Sequence, residues 1–121
     1  MIVDLSDHAK NAMMNALSSL MDGGHIEILS DDRRKLAELK LSNTATKGAK
    51  GGEIEFNKIQ EEDAAIALGR ASWARIVDDG GTEIFTCDVG DPQSEAVLKL
   101  NTQDIFPGGP VRIKSLRLVM P

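Results

Sequence analysis

The stretch RASWARIVDDGGTEIFTCDV, residues 70–89, decides the fold class. From Arg70 to Val77 the side chains alternate. Ala71, Trp73, Arg75 and Val77 fall on one side, and Ser72, Ala74 and Ile76 on the other. After Asp78-Asp79-Gly80-Gly81 the alternation resumes, with Glu83, Phe85, Cys87 and Val89 set against Ile84, Thr86 and Asp88. A period of two is that of a strand with two unlike faces. The Asp-Gly pair between the runs tolerates the positive φ of a tight turn, so the stretch predicts a β-hairpin.

The same period recurs on both sides of the hairpin. Ile26 and Ile28 flank Glu27; Ala37, Leu39 and Leu41 alternate with Glu38 and Lys40; Ile54 and Phe56 alternate with Glu53, Glu55 and Asn57. Downstream, Ala96, Leu98 and Leu100 form another run. In the last run Val111 and Ile113 hold odd positions while Leu116, Leu118 and Met120 hold even ones. One extra residue reverses strand parity, so this flip predicts a bulge near Ser115. Between the runs, Ser30 to Lys35 reads as a charged turn and Phe106 to Pro110 as a compact one. Glu61 to Leu68 reads as a short helical turn or loop. The polar, Gly-rich Ser42 to Gly52 connection, with its Lys47 to Gly52 run, reads as a mobile loop.

Only the first segment has helical spacing. Leu5, Ala9, Ala12, Met13, Ala16, Leu17, Leu20 and Met21 recur at steps of three and four, predicting the buried stripe of a helix over residues 6–22. Ser6 is its N-cap, Asp7 complements the positive end of the dipole, and Gly23-Gly24 stops it. Asp7, Lys10, Asn11, Asn15, Ser18 and Ser19 are expected on its outer face. Seven strands behind one helix, without crossover helices, predict a mainly β fold: an antiparallel β-sandwich or jelly roll. The whole chain, residues 1–121, reads as a single domain, with the sandwich over 25–120.

Composition narrows the function classes. A chain of 121 residues buries about two-thirds of the surface its unfolded form exposes, enough for one core without metal or disulfide. Three Phe, one Trp and no Tyr argue against an aromatic sugar groove or a base-stacking platform. A net charge of −5 provides no general attraction for nucleic acid or anionic membranes. No apolar run approaches the roughly 20 residues of a membrane span, and the N-terminus shows no signal-peptide pattern, so a cytosolic start is expected.

Material for catalysis is sparse. His8 and His25 stand at opposite ends of the predicted helix, roughly 25 Å apart at its rise per residue, and do not share a metal or a triad. Cys87 lies mid-strand and reads as an inert thiol. The Lys47 to Gly52 run lacks the order of a phosphate-cradling loop, and Asp78, Asp79, Asp88 and Asp91 do not match a calcium loop and read as turn carboxylates. No carboxylate pair is set apart by environment as a glycan hydrolase requires. The chain therefore reads as no enzyme, with no cofactor and no metal. The candidate residues are those of an interface. Met13 and Met14 would let the helix pack on an irregular surface, and Trp73 is either a core anchor or a contact anchor. Arg75 shares the face of Trp73 and is expected to make a cation–π contact or a buried hydrogen bond at a sheet edge.

Several of these elements carry a resemblance. Gly69 to Asp78 (GRASWARIVD), Gly80 or Gly81, and Asp88-Val89-Gly90 resemble a group of small structural proteins of tailed bacteriophages. So do the helix ending at Asp22-Gly23-Gly24, Leu39-Lys40-Leu41-Ser42, Leu98-Lys99-Leu100-Asn101, and the closing Val111-x-Ile113-x-Ser115-x-x-Leu118-x-x-Pro121. The resemblance implies a β-sandwich or jelly-roll component of the virion, assembled in the host cytoplasm. Its expected role is capsid decoration or cement, as a homo-oligomer (dimer or trimer) on the major capsid protein or other virion proteins. The alternative is a tail or tail-fibre component, an adaptor or a module binding host-surface glycans. The shared residues are strand and turn determinants, so no binding residue follows from the resemblance.

Overall fold

In a computed structural model, residues 3–60 and 65–119 are described. The fold is mainly β, with 44% of the described residues in strand against 13% in helix, and the helix comes first. The elements are α1 (Asp7–Met21), β1 (His25–Ser30), β2 (Lys35–Lys40), β3 (Thr46–Lys50), β4 (Glu53–Phe56), β5 (Gly69–Val77), β6 (Glu83–Gly90), β7 (Leu98–Leu100), β8 (Asp104–Ile105), β9 (Ile113–Leu116) and β10 (Leu118–Val119). Seven strands make a curled mixed sheet in the order β2-β1-β5-β6-β7-β9, with β8 paired to the start of β5. A smaller sheet runs β10-β4-β3. The core is aliphatic: Ile26, Ile28, Leu39, Ile54, Ile76, Leu98, Leu100, Ile105 and Val111 are each almost wholly buried.

The predicted hairpin is β5 and β6. At its turn Asp78 Oδ1 accepts the Thr82 N–H (2.9 Å), the Asp78 N–H donates to Thr82 O (2.9 Å), and Gly81 takes φ +87°. Strict alternation along β5 does not hold. Leu29 pairs with Trp73 and Ser30 with Ala71, so Ser72 is an extra residue against β1. That bulge turns Ala71 to the core beside Ala74, where side chains larger than Ala would meet the layer behind. The late parity flip has a similar cause. Lys99 pairs with Ser115 and Leu100 with Ile113, leaving Lys114 as the extra residue. Ile113, Leu116 and Leu118 then all reach the core, across the point where β10 leaves for the smaller sheet.

One ladder is parallel, β6 with β7, where Val89 pairs with Leu98. The connection from Asp91 to Val97 doubles back beside β6. Ser94 N–H donates to Asp91 O (3.1 Å) and Val97 N–H to Asp88 Oδ1 (2.9 Å), so β7 enters in the same direction as β6. Gly90 permits the approach, since a Cβ there would lie 2.1 Å from Ser94 Oγ.

Two further segments depart from their sequence pattern. The Ser42 to Gly52 connection is not a mobile loop: it contains β3 and turns into β4 through Gly51 and Gly52, both at positive φ. The helix, capped as expected by Ser6 Oγ accepting from Ala9 N (3.1 Å), is rotated from its predicted orientation. Met14, Ser18 and Met21 are the buried residues, while Ala12, Met13, Ala16 and Leu20 are exposed. The two departures have one cause. β3 is the outer strand of its sheet, and the row of polar groups facing it belongs to α1 and the residue after it. Asn11 Oδ1 accepts from Gly52 N (2.9 Å), Asn15 Oδ1 from Ala49 N (2.8 Å) and Asp22 Oδ1 from Ala45 N (2.8 Å), and the Ser18 and Thr46 hydroxyls hydrogen-bond to each other. An unanswered buried backbone N–H costs more than an exposed alanine or leucine forgoes, so polar satisfaction sets the rotation. Of the expected turn at Glu61 to Leu68, residues 61–64 lie outside the described residues. The remainder is irregular, with Ile66 N donating to Leu36 O (2.8 Å) at the edge of β2.

Replacing Asn15 with Ala should lower stability by about 1 kcal/mol, and adding Asn11→Ala should cost a comparable amount again. Hydrogen exchange should then accelerate at the amides of Ala49 and Gly52 while β5 and β6 stay protected, a pattern that a general loss of packing would not produce.

Candidate interaction site

The structure distributes the four sequence-derived candidates over different environments. Met14 is in the core at 4% exposure, whereas its neighbour Met13 is 51% exposed. Trp73 and Arg75 lie on the outer face of the large sheet. Trp73 is half-buried and does not anchor the core, and the cation over its ring is Arg33, 4.9 Å from the centroid, rather than Arg75. Arg75 instead turns its Nε toward Glu27 (3.2 Å) and Glu83 (3.7 Å).

Those contacts belong to a network that runs across β2, β1, β5 and β6. Lys35 reaches Glu38 (2.5 Å) and Glu27 (3.3 Å), and His25 lies 3.8 Å from Glu38. Facing residues on neighbouring strands bring these groups together: Glu27 is opposite Glu38 on one side and Arg75 on the other. Glu27 is the most enclosed member, and the cations on either side offset the repulsion of the facing glutamates. The hydrogen bond from Lys35, with its charge, holds the Glu38 carboxyl below its ordinary range, and the same bond raises Lys35. The face is thus internally compensated, and it offers a partner Trp73 and a set of charges already paired.

Residues with chemical potential are occupied elsewhere. Burial, with Asp88 nearby, pushes the Cys87 thiol up to about 12, so it carries no thiolate at neutral pH. Asp78 and Asp91 each accept a backbone N–H in their own turns, from Thr82 and Gln93, whereas Asp88 lies in β6 rather than in a turn and accepts the Val97 N–H. Among the described residues no three His, Cys, Asp or Glu side chains gather in a metal-binding arrangement, and no helix is long and apolar enough to cross a membrane.

Exposed apolar side chains remain at Ile66, Leu68, Phe106 and Val119 and, on one regular element, along the helix. Because its polar row answers β3, α1 presents Ala12, Met13, Ala16 and Leu20 outward, with Leu20 at 56% exposure and Val3, just before the helix, at 76%. No family model, curated protein or solved structure matches the chain. The outward stripe is therefore read from its own chemistry. Its residues recur at steps of three and four, so they form one continuous apolar band, and the small alanines in it would let another backbone approach closely. Apolar periodicity finds these residues but assigns them to the core. The signal that places them outside is the second stripe, Asn11, Asn15, Ser18 and Asp22, at the same spacing on another face of the same helix.

The network has a pH signature. A carboxyl whose pKa is lowered on folding adds stability above its unfolded value and loses that contribution as pH falls through the folded one. Wild-type melting temperature should therefore fall as pH drops below the ordinary Glu38 value of 4.5. Glu38→Gln should be less stable at pH 7 and show a shallower acid decline. Identical slopes for the two proteins would show that the pair contributes nothing.

Proposed function

We propose that this chain is a structural assembly subunit that attaches through the outward face of α1. Its most specific form is a capsid decoration or cement protein of a tailed bacteriophage. The observation that carries the assembly reading is the apolar band of Ala12, Met13, Ala16 and Leu20, exposed on a helix that is itself fixed to the body by hydrogen bonds. Scattered exposed apolar residues are ordinary, but a continuous band on one rigid element is the geometry of helix docking. The virion assignment is supported by the likeness of the strand and turn elements to small phage structural proteins.

The physical demands of cementing fit such a chain. A decoration subunit adds contacts across a symmetric shell and needs no reaction centre, and many modest contacts sum to firm attachment through multivalency. A band on one helix is smaller than a standard interface, so each copy would bind weakly alone and acquire strength from repetition.

The double substitution Met13→Asp with Leu20→Asp tests this reading. Both side chains are exposed, so the melting temperature should stay within a few degrees of wild type. Sedimentation should show the wild-type dimer or trimer reduced to monomer, and particles carrying the variant should lose heat resistance. Localisation to a tail in a particle reconstruction would move the assignment to the tail apparatus. An unchanged sedimentation profile together with unchanged particles would overturn it.

A further inference from the structure

A second surface, away from the helix band, has the features of a built site. A groove of about 710 Å³ separates β9 from β4. Its walls are lined by consecutive residues, 113–117 on one side and 53–59 on the other. Alternate residues line a groove that a sheet face borders, whereas consecutive ones line a groove bordered by a strand edge. The pairing agrees. Among the described residues, β9 is the last strand of the large sheet and pairs only with β7, and β10 covers β4 only at Glu53 and Ile54, leaving Glu55 and Phe56 without a neighbour on that side. Two open edges therefore border one groove, with Phe56, Ile59, Ile113 and Leu116 partly buried in it.

The charges around it are unlike those of the rest of the chain. Four cations, Lys50, Lys58, Lys114 and Arg117, line the groove against two carboxylates, Glu53 and Glu55. Both carboxylates are already engaged: Arg117 binds Glu53 through Nε (2.8 Å) and Nη2 (3.2 Å), and Lys47 lies 3.4 Å from Glu55. Among the described residues, Lys50, Lys58 and Lys114 have no ion-pair or hydrogen-bond partner for their ammonium groups. A protein of net charge −5 thus carries a locally positive, apolar-floored groove between two strand edges.

We propose that this groove takes up an acidic, extended segment of a partner protein as an added strand along β9. Open edges suit another backbone, because alternating N–H and C=O groups at strand spacing answer a whole row of a strand's own. The floor calls for apolar side chains on one face of the incoming strand, and the three lysines for carboxylates on the other. β9 has four residues, so the paired part of the occupant is about 13 Å long. The segment is then one in which Asp or Glu alternates with Val, Ile or Leu. The proposal rests on the groove alone and holds whether or not the chain belongs to a virion.

A capped, fluorescein-labelled heptapeptide alternating glutamate and valine is the probe, titrated into the full-length protein and followed by anisotropy. Binding should be measurable below 1 mM and weaken as salt is raised. Lys58→Glu combined with Lys114→Glu should reduce the affinity at least tenfold without changing the melting temperature, since both lysines are exposed. The amides of residues 113–116 that are free of β7 should gain hydrogen-exchange protection in the complex. A peptide with lysine in place of glutamate should not bind, and one with proline at alternate positions should bind much more weakly. Equal binding of the proline peptide would reduce the site to a patch of positive charge and overturn strand addition. No binding at 1 mM would overturn the proposal outright.

Discussion

The outer strand of the small sheet has backbone groups that must be answered, and one helix answers them. Asn11, Asn15, Ser18 and Asp22 form a polar row along α1 and its cap, and each meets a group on or beside β3. Much else follows from that match. It holds a Gly-rich segment as a strand, and it fixes the rotation of the helix so that Met14 and Met21 enter the core. The same rotation sends the apolar band of Ala12, Met13, Ala16 and Leu20 into solvent. The most exposed apolar surface of the helix is thus a consequence of hydrogen bonding on its other side.

The large sheet shows how side-chain size and register combine. β5 pairs with β1 and β6 along most of its length and with β8 at its start, so its position is held by three strands. Its small residues, Ala71 and Ala74, face the layer behind, and the bulge at Ser72 lets both do so despite their odd spacing. On the solvent face the same strand contributes Trp73 and Arg75 to a network whose charges cancel locally. Across the molecule, the groove beside β9 has the opposite character, because its carboxylates are taken up by Arg117 and Lys47 and its remaining lysines are not. Cross-strand compensation makes the first face a poor target for a charged partner, and incomplete compensation makes the second a good one.

Period-two alternation, the Asp-Gly turn and the capped N-terminal segment were enough to determine a mainly β chain with one leading helix. These are local properties: backbone sterics and neighbouring side chains set them wherever the segment ends up in the fold. The parity flip near Ser115 was legible for the same reason, since a strand cannot bury both parities without a bulge. Long-range packing set which helix face turns inward, that Ser42 to Gly52 holds a strand, that β7 runs parallel to β6, and that Arg33 rather than Arg75 covers Trp73. Each of these depends on groups distant in sequence meeting across a gap. For α1, two stripes with the same spacing competed, and apolar periodicity favoured the wrong one. The N–H groups of Ala45, Ala49 and Gly52, on and beside β3, settled the choice, because unpaired backbone in a protein interior costs more than alanine and leucine in water.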